Sequence, residues 1–441
     1  MSAPVTVALA TLGCRLNQVE SREIGALLES RGFRVVEPAA GAQVFVINTC
    51  TVTGRADFSD RQLIRRIARE NPEAYLVVTG CFAQTDPAAA AAIAGVDLVV
   101  GNQEKYRLPE LLGSLAKRAR PDVAVADIGA ARDVPIAPFA RVTGRSRAFV
   151  KIQDGCQHRC AFCIVPAARG RSRSQESKVV LDQVRDLVAV GYLDVTLTGV
   201  DIGHYGRDLY PRTTLAALLR ELAEIDGLRW LRLSSVLPSY FTPELVDAVT
   251  TLPVVAPHLH LPLQSGSDRV LRLMRRPYHT GMYRALVDRL TATIPGLGLG
   301  ADVIAGHPGE TEDDFEATLR FVEALPFSSL HVFAYSERKG TEATSRPGHV
   351  PAAVIRERSG RLRRLGHEKS LAFRRGLIGR RRDAVVLGAR DRRTGLLAGL
   401  TDNYIEVLFD GPDTLGRRVV PLTITEAHAD RTHGQLEEIG A

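Results

Sequence analysis

Residues 151–163 read KIQDGCQHRCAFC, and this stretch decides how the rest of the chain is interpreted. Its three cysteines, Cys156, Cys160 and Cys163, form a C-x-x-x-C-x-x-C array. Three thiolates from one short loop can ligate three irons of a cubic iron–sulfur cluster and leave the fourth iron without a protein ligand. A small molecule with an amine and a carboxylate, such as S-adenosylmethionine, can chelate that iron. The array therefore predicts a reactive cluster rather than a centre that only transfers electrons.

The other cysteines of the six in the chain, Cys14, Cys50 and Cys81, lie far apart, and each follows a short apolar segment. Strand-like segments alternate with helical ones across residues 6–120, which is the βαβ pattern of a small parallel sheet. Ligands of open α/β sheets bind at the carboxyl ends of the strands. We therefore expect the three separated cysteines to converge on one sheet edge and to form a second three-thiolate site.

The cysteines also allow other interpretations. A C-x-x-C segment such as Cys160–Cys163 is typical of zinc sites and of redox-active dithiols as well. A structural zinc site needs four ligands, and His158 is the residue that would complete such a site beside the array. Disulfides are disfavoured, because Met1–Ala10 lacks the basic start of an export signal and a reducing, cytoplasmic location is expected.

The size and composition of the chain limit its class. A chain of 441 residues, 45% of them hydrophobic, predicts about three globular domains. No uninterrupted apolar stretch approaches the roughly 18 residues that cross a bilayer, so no membrane association is predicted. The formal net charge is +7, and basic residues concentrate between Arg356 and Arg382. Helical spacing would make this run a basic amphipathic helix, which fits either a solvated face or a polyanion partner.

The order of elements predicts an α/β protein with three folded parts. Residues 1–120 form the small βαβ domain, and residues 121–141, rich in Ala, Pro and Arg, are interpreted as a linker. Residues 142–372 show strand–helix repeats that predict a partial (β/α)6 barrel, whose first strand leads into the cysteine array. Residues 375–441 contain short alternating segments between turns and predict an all-β barrel. A β-barrel that follows a basic helix favours nucleic-acid binding.

The chain resembles the radical S-adenosylmethionine methylthiotransferases along essentially its whole length. The segments TLGCRLNQVES at 11–21, INTCTVT at 47–53 and TGCFAQ at 79–84 resemble the three amino-terminal cluster motifs of that family. The array at 156–163 resembles its radical motif, and the carboxyl-terminal β segment resembles its RNA-binding TRAM domain. The family resemblance implies a fold with an amino-terminal methylthiotransferase domain, a radical S-adenosylmethionine core and a TRAM barrel.

Three segments are most similar to one branch of this family, which modifies N6-threonylcarbamoyladenosine at position 37 of tRNA, beside the anticodon. They are QDGC at 153–156, NTCTVT at 48–53 and HVFAYS at 331–336. The resemblance implies two 4Fe–4S clusters, one on each set of three cysteines. It also implies tRNA and a reduced flavodoxin- or ferredoxin-type electron donor as partners. The source of the sulfur stays unassigned, and a monomer is expected.

The resemblance further implies a reaction in two parts. The cluster on Cys14, Cys50 and Cys81 would carry or donate sulfur, which one S-adenosylmethionine methylates. A second S-adenosylmethionine, at the other cluster, would generate a radical that removes hydrogen from carbon 2 of the adenine. The methylthio group would then be delivered to that carbon. This carbon has no acidic proton, so acid–base catalysis has little to act on and radical chemistry is required.

Residues at the ends of the predicted barrel strands are candidates for binding S-adenosylmethionine. Gly199 and Val200 follow a strand and resemble the backbone segment that holds the methionyl amine. Ser235 and Gln264 are expected near the ribose or the methionyl carboxylate. Ile304 belongs to an apolar strand followed by glycines, which is suited to lying along an adenine. A plain tight turn and buried strand-end hydrogen bonds are the alternative explanations.

Arginines are the candidates for binding tRNA. Arg169 lies just after the cysteine array, and Arg361, Arg363 and Arg364 lie in the predicted basic helix. Contacts to phosphates would supply affinity, while a splayed loop base would be the recognised element. Surface arginines without a ligand would show the same pattern.

Two positions depart from the family pattern. Ala167, after Pro166, stands where relatives often carry an aromatic residue, and His307 precedes Pro308 where an aromatic residue is commoner. Neither position is a predicted cluster ligand, so the departures are expected to affect only the shape of the binding pocket.

Other functions share these features. One is a methylthiotransferase that acts on isopentenyladenosine in tRNA, and another acts on an aspartate of a ribosomal protein. A third, from a different class, is a non-catalytic metal-containing protein that binds RNA. Nucleoside analysis, product mass on protein, and iron and sulfide content distinguish these functions. The basic helix favours tRNA over protein, and a mere binder has no use for an incompletely ligated cysteine loop.

Overall fold

The computed structural model describes residues 3–38, 41–113, 115–135 and 146–438. The strands are β1 Thr6–Thr11, β2 Arg34–Val36, β3 Val44–Thr49, β4 Tyr75–Gly80, β5 Leu98–Val100, β6 Asp122–Ala124, β7 Arg147–Lys151, β8 Gln153–Asp154, β9 Arg173–Ser174, β10 Asp194–Thr198, β11 Trp230–Leu233, β12 His258–His260, β13 Gly298–Ala305, β14 Ser329–Ala334, β15 Arg381–Val386, β16 Leu397–Thr401, β17 Glu406–Phe409, β18 Val419–Ala427 and β19 Thr432–Leu436. The α-helices are α1 Arg15–Ser30, α2 Gly54–Glu70, α3 Cys81–Thr85, α4 Pro87–Ala91, α5 Leu108–Leu111, α6 Val165–Arg169, α7 Ser177–Ala189, α8 Leu215–Ala223, α9 Pro243–Thr251, α10 Asp268–Leu273, α11 Thr280–Thr293, α12 Glu312–Ala324 and α13 Ala352–Arg375.

The described residues divide into two compact units. This division differs from the predicted domain limits, because the cysteine array groups with the amino-terminal sheet and not with the barrel strands. Both sets of three cysteines therefore belong to the first unit. The first unit consists of the described parts of residues 1–142, 153–175 and 336–344, and the second of those of residues 143–152, 176–335 and 345–441.

The first unit is built on a parallel sheet with the strand order β2-β1-β3-β4-β5-β6. Strands β3 and β4 are buried along their whole length, which is typical of a parallel strand with helices on both faces. The side chains of β3 alternate in direction and pack into two separate hydrophobic cores, one on each face of the sheet. Phe45 and Ile47 belong to one, and Val44 and Val46 belong to the other. The predicted βαβ sheet is confirmed.

Short elements of this unit escaped the sequence prediction. Strand β6 lies inside the segment 121–141, which was predicted as a linker, and it pairs with β5. Two of the three residues of β6 are exposed, and no alternation of apolar and polar residues marks it. Residues 136–141 of the predicted linker lie outside the described residues. The first two helices of the unit, α1 and α2, begin at Arg15 and Gly54.

The second unit contains parallel strands in two sheets, β11-β10-β7 and β12-β13-β14. A bridge between Leu231 and Val255, and a hydrogen bond from the Val236 amide to the His260 carbonyl (3.1 Å), connect the two sheets. The strands thus follow one another in chain order, and a helix lies between each strand and the next. The predicted partial (β/α)6 barrel is confirmed.

Strands β15 to β19 close into a small barrel in the order β15-β16-β17-β19-β18. Val386, Val407, Phe409 and Leu422 are part of its buried core. The predicted all-β barrel is confirmed, although β19 was not predicted because its sequence, THGQL, lacks apolar alternation. The helix α13 leads into the barrel and carries most of the basic run. Among the described helices, none has the length and apolar character that a membrane span requires.

Candidate functional site

The structure brings the three separated cysteines of the first unit together. Cys14 directly precedes α1, Cys50 directly follows β3, and Cys81 is the first residue of α3, after β4. Because β1, β3 and β4 are adjacent parallel strands, these positions share the carboxyl edge of the sheet. A Cβ atom built on Gly13 would lie 3.0 Å from the Sγ atom of Cys50. The Cys14 loop therefore lies directly against Cys50.

Two glycines permit this close approach. Gly13 has a φ of +103°, and a Cβ atom there would lie 2.6 Å from the Cβ atom of Cys50. Gly80 has a φ of +97°, and its Cβ atom would lie 2.3 Å from the carbonyl oxygen of Thr49. Only glycine adopts such a conformation at low cost and leaves this space open. The backbone before Cys14 and before Cys81 can therefore pass close to the end of β3.

The chemistry of the three thiols fits a metal cluster. Cys50 and Cys81 are buried and Cys14 is exposed. Burial, followed by the neighbouring Cys81, raises the pKa of the Cys50 thiol to about 12, and burial also raises the pKa of Cys81. Metal ligation needs thiolates, so a cationic metal centre would have to stabilise them here. Three soft sulfur donors at one sheet edge are a donor set that suits an iron–sulfur cluster.

Polar contacts hold the edge of this site. The Cys50 amide donates to the carboxylate of Asp60 (2.8 Å), whose burial raises its pKa to about 7. Asn17 is fully buried, and its Nδ2 donates to the carbonyl of Thr49 (2.8 Å). The Sγ atom of Cys14 lies 3.5 Å from Oδ1 of Asn17. Asn17 thus ties the Cys14 loop to the end of β3.

The cysteine array forms a compact loop in the same unit. The amide of Cys156 donates to the carbonyl of Gly170 (3.0 Å), and the amide of Cys163 donates to the carbonyl of Cys160 (3.1 Å). The three cysteines of the array are each half-buried. A later segment supports the loop, since the Ala343 amide donates to the Ala161 carbonyl (2.7 Å). Backbone hydrogen bonds thus hold in place the loop that carries the three sulfur donors.

A buried arginine connects the two cysteine sites. Arg169 donates through Nη1 to Oε1 of Glu20 (2.8 Å) and to Oδ1 of Asp154 (3.1 Å). Its Nη2 donates to Oδ1 of Asn17 (2.9 Å), the same oxygen that faces Cys14. Asp154 lies two residues before the array. One guanidinium therefore contacts the supporting residues of both sites.

The side chain of Arg169, which was predicted to contact tRNA, lies inside the protein. Its side chain is 3% exposed, and its donors are directed into the protein. Lys105 pairs with Glu20 (2.7 Å), and Arg173 lies 3.8 Å from Asp154. Burying charges is costly unless they are paired and hydrogen-bonded, and removal of one partner leaves the others uncompensated. Arg169 is a structural residue of the cysteine sites.

The candidate residues for S-adenosylmethionine lie at strand ends of the second unit. Gly199 and Val200 form a half-buried turn after β10, and Ser235 is exposed after β11. Gln264 and Ile304 are neighbours, because the Ile304 amide donates to the Gln264 carbonyl (2.9 Å). Gln264 is 8% exposed, and its Oε1 atom has no hydrogen-bond partner among the described residues. A buried acceptor of this kind is normally satisfied, so its donor is expected from a ligand.

The strands of the second sheet present two layers on their inner face. Leu330 lies against α13, since a Cβ atom on Gly366 would be 3.0 Å from its Cβ atom. Neighbouring strand residues alternate in direction, so His331 and Phe333 face the barrel interior. The register pairs Asp302 with His331 and Ile304 with Phe333. We call His260, Asp302 and His331 the polar layer, and Ile304 and Phe333 the apolar layer. None of these polar-layer residues was predicted from the sequence to bind a ligand.

The carboxyl-terminal barrel closes the opposite end of these strands. His258, at the start of β12, stacks on Tyr404 with ring centroids 4.2 Å apart. Arg232 is 1% exposed and donates to Asp194 (2.7 Å) and to the carbonyl of Thr401 (2.9 Å). A Cβ atom on Gly298 would lie 2.2 Å from the carbonyl oxygen of Asn403. Ligands of this unit must therefore approach from the carboxyl ends of the strands, as in other barrels.

Helix α13 confirms the predicted basic helix, but its arginines differ in environment. Arg363 and Arg364 are exposed. Arg361 is tied to Glu316 and Glu312 of α12 and is 30% exposed. Arg358 is buried and pairs with Glu310 and with Glu312 of α12 (2.8 Å each), and Arg374 donates to the carbonyl of His428 in the small barrel (2.7 Å). The outward charge is therefore smaller than the composition of the run suggests.

The two departures from the family pattern lie in ordered surroundings. Ala167 is exposed on α6. His307 is fully buried, and its Nδ1 lies 2.9 Å from the carbonyl oxygen of Pro308. Its ring centroid is 5.7 Å from that of Tyr335. A histidine thus fills a position where an aromatic ring of similar size would fit.

Two family models match the chain. The one described as "Uncharacterized protein family UPF0004" matches residues 6–101, and the one described as "Radical SAM superfamily" matches residues 150–322. Full-length relatives are also found. The chain is 37% identical to "Threonylcarbamoyladenosine tRNA methylthiotransferase MtaB" of Bacillus subtilis, over 98% of this chain and 97% of that one. It is 35% identical to "tRNA-2-methylthio-N(6)-dimethylallyladenosine synthase" of Moorella thermoacetica, over 99% of each.

Solved structures share the fold. The radical S-adenosylmethionine methyltransferase TsrM from Kitasatospora setae matches with a TM-score of 0.57 and 18% identity, over 75% of each chain. The cobalamin-dependent S-adenosylmethionine radical enzyme OxsB matches with a TM-score of 0.50 and 12% identity, over 81% of this chain and 55% of that one. At these identities the similarity concerns the fold alone.

A partial (β/α)6 barrel together with the C-x-x-x-C-x-x-C array is the signature of radical S-adenosylmethionine enzymes, which use a 4Fe–4S cluster and S-adenosylmethionine. Relatives at 35–37% identity extend over almost the whole chain and carry methylthiotransferase or 2-methylthio synthase names. The chain belongs to the radical S-adenosylmethionine methylthiotransferase family.

Proposed function

We propose that this protein converts N6-threonylcarbamoyladenosine at position 37 of tRNA into its 2-methylthio derivative. The relatives named for this activity come from Bacillus subtilis, Aquifex aeolicus and Thermotoga maritima and are 35–37% identical to the chain. The segment HVFAYS at 331–336 supports the same substrate through its resemblance to this branch. The proposal places the protein in the cytoplasm, as a monomer served by a reduced flavodoxin- or ferredoxin-type donor.

The observation that carries the proposal is the grouping of two three-thiol sites in one compact unit. Methylthiolation of an unactivated aromatic carbon needs a hydrogen-abstracting species and a sulfur donor at the same base. An enzyme that only cleaved S-adenosylmethionine would need the array alone. The shared contact through Arg169 ties the supports of both sites into a single structure.

Each set of three cysteines would hold one 4Fe–4S cluster. When bound, the clusters and S-adenosylmethionine supply the radical and the sulfur chemistry. The protein positions these groups and excludes water from the site. Gly13 and Gly80 keep room beside the separated cysteines, while Asn17 orients Cys14. Burial keeps water away from Cys50 and Cys81.

The barrel residues would bind S-adenosylmethionine. Gln264 offers the buried, unsatisfied Oε1 atom to a donor such as a ribose hydroxyl. Ile304, whose amide is fixed by the Gln264 carbonyl, offers an apolar surface to an adenine. Gly199 and Val200 present backbone groups to the methionyl amine, and Ser235 presents an exposed hydroxyl at a neighbouring strand end.

The tRNA would be bound by the carboxyl-terminal barrel and the outward face of α13. Arg363 and Arg364 are exposed there and offer charge to phosphates, while Arg361 is largely engaged by α12. Recognition of a loop base flipped from its stack fits an enzyme that acts on a ring carbon.

Nucleoside mass spectrometry of tRNA tests the proposed substrate. In cells that lack the protein, 2-methylthio-N6-threonylcarbamoyladenosine should disappear and its precursor should accumulate. The wild-type chain should restore the product, and a Cys81→Ala chain should not. Loss of the 2-methylthio derivative of isopentenyladenosine instead would assign the second candidate substrate. That candidate is supported by the dimethylallyladenosine relative, which matches along 99% of the chain. Unchanged tRNA with an altered ribosomal protein mass would contradict both.

A further inference from the structure

The polar layer of the barrel is a connected group of titratable side chains. Nε2 of His260 lies 2.9 Å from Oδ1 of Asp302, and Nδ1 of His331 lies 3.4 Å from the same oxygen. The two imidazole rings have centroids 5.1 Å apart. One carboxylate oxygen therefore orients both rings, one from each neighbouring strand.

His331 is the member of this layer that faces open space. Its side chain is 62% exposed, compared with 12% for His260 and 21% for Asp302. Because Nδ1 of His331 is directed at Asp302, Nε2 is the ring atom left for a ligand. A ring held by its buried neighbour and open at its far nitrogen has the geometry of a binding group rather than of a core residue.

The surroundings favour the charged form of His331. Although burial opposes its ionisation, hydrogen bonds from His260 and His331 hold the pKa of Asp302 well below its usual range. The bond to Asp302 in turn raises the pKa of His331. Burial, followed by the charge of Arg232, lowers the pKa of His258, so this buried ring adds no charge of its own. An anionic group is therefore the ligand chemistry that suits the exposed ring of His331.

The apolar layer lies next to the polar layer, toward the carboxyl ends of the strands. Ile304 and Phe333 are each two residues beyond a polar-layer residue, which places them roughly 7 Å further along the strands on the same face. Phe333 is 42% exposed, although it is a large apolar side chain on a barrel strand. Phe333 therefore offers an apolar surface beside His331 that fits a flat base whose substituent ends in a carboxylate, while Ile304 stays with the adenine of S-adenosylmethionine.

We propose that His331 binds the carboxylate of the threonyl group on the substrate adenosine, with Asp302 and His260 as the positioning residues that hold its ring. This inference rests on the proposed function and deepens it. Isopentenyladenosine has no such carboxylate, so a charged donor at this point distinguishes the two bases. A hydrogen bond to a charged group corresponds to roughly a 10- to 100-fold difference in affinity.

The same three residues also have ligand atoms close enough to hold a metal ion. Their geometry favours proton-mediated contacts, because His260 lies at hydrogen-bond distance from the single carboxylate oxygen that His331 also approaches. Metal binding by these three residues is therefore one of the results that would overturn the inference.

The test uses the reconstituted full-length enzyme and two anticodon stem-loop RNAs. One carries threonylcarbamoyladenosine, and the other carries its primary amide, which lacks only the negative charge. Product formation by mass spectrometry gives kcat and KM for the wild type, for His331→Asn and for His279→Asn. His279 is an exposed histidine that caps α11, a role that Asn can keep.

The wild type should prefer the acid RNA to the amide RNA by at least about tenfold in kcat/KM. His331→Asn should lose this preference, because KM for the acid RNA rises roughly 10- to 100-fold while turnover of the amide RNA stays as in the wild type. His279→Asn should keep the wild-type preference. Turnover of the amide RNA in the same sample shows that the His331 variant is folded.

Three results would overturn the inference. The wild type turns over the acid and amide RNAs equally well, or His331→Asn impairs both RNAs by the same factor. Alternatively, zinc or manganese is bound in stoichiometric amount by the wild type and is lost in His331→Asn, which would identify a metal site. Failure of the proposed function looks different, because the wild type would then modify neither of these RNAs but would modify one with isopentenyladenosine. That outcome would remove the inference as well.

Discussion

The two cysteine sites of the first unit are built in opposite ways. The array Cys156–Cys163 lies in one loop, which is held by backbone bonds among residues close in sequence and by one bond from the distant Ala343. The separated site, Cys14, Cys50 and Cys81, exists only because three parallel strands end at one edge. The array takes all three of its sulfur ligands from one short segment, whereas the separated site needs a whole sheet and two glycines to bring its ligands together. The separated site is therefore the more sensitive of the two to changes elsewhere in the unit.

The sites are nevertheless linked through Arg169, which contacts the supports of both. Because of this link, some substitutions should affect only one of the two cysteine sites, whereas others should affect both.

The largest expected effect comes from replacing one cysteine of each site, because the two sites are expected to perform different chemical steps. Cys14→Ala should abolish methylthio product but leave cleavage of S-adenosylmethionine, measured as 5′-deoxyadenosine, because the array is intact. Cys156→Ala should abolish both, because the array loses a ligand. Mass spectrometry of the nucleoside and of 5′-deoxyadenosine measures the two activities in one reaction. Normal methylthio product from Cys14→Ala would remove the sulfur role from the separated site.

The second expected effect concerns the link between the sites. Arg169→Ala leaves Glu20 and Asp154 buried without their shared cation, so the free energy of unfolding should fall by about 3–5 kcal/mol. Arg169→Lys keeps the charge but loses the forked contact and should fall between Arg169→Ala and the wild type. Denaturant unfolding followed by circular dichroism measures the change.

The matched control for that experiment is Arg185→Ala. Arg185 forms an ion pair with Asp182 at 57% exposure on the surface of α7. Its removal should change the unfolding free energy by less than about 1 kcal/mol. Similar losses for Arg169→Ala and Arg185→Ala would mean that the link contributes nothing beyond a surface ion pair.

A third change should break the separated site alone. Gly13→Ala places a methyl group 2.6 Å from the Cβ atom of Cys50. After anaerobic reconstitution, iron content should fall from about eight to about four per chain, because only the array keeps a cluster. Gly32→Ala is the control, since Gly32 also has a positive φ but nothing within 4 Å of its Cβ position. Equal iron content in both variants would contradict the steric argument.

The smallest expected effect lies outside both sites. Neutralising Arg363 and Arg364 together as Gln should weaken tRNA binding several-fold and reduce the slope of log affinity against log salt by about 1–2. Arg220→Gln is the control, since Arg220 is exposed but pairs with Asp247. Filter binding at several salt concentrations measures both quantities. An unchanged slope would remove α13 from the tRNA surface.

The sequence predicted the main parts of the fold because their signals are local. Apolar periodicity identified the longer strands of the three parallel sheets, and the turn-bounded segments identified most of the carboxyl-terminal barrel. Strand β6 and strand β19 escaped because short or polar strands carry little periodicity. The convergence of Cys14, Cys50 and Cys81 was also predictable, since parallel strands end on a common edge.

The burial of Arg169 was not predicted from the sequence. The position of an arginine just after a cysteine loop does not indicate whether its side chain is exposed or buried. The sequence signal for a buried cation lies in α1. There, Glu20 is four residues from both Leu16 and Ile24 and therefore lies on the buried face of the helix. A carboxylate in an apolar stripe requires a buried partner, but its identity depends on which distant segment packs there.

By itself, the sequence determined the class of cofactor chemistry, through six cysteines in two spacings, and the kinds of sheet that carry them. Only the tertiary structure decided that the array packs with the amino-terminal sheet, that Arg169 joins the two sites, and that His260, Asp302 and His331 meet on one wall. Periodicity records whether a residue is buried within its own element. The partner of a buried charge, by contrast, is chosen by contacts between elements far apart in the chain, which no local pattern encodes.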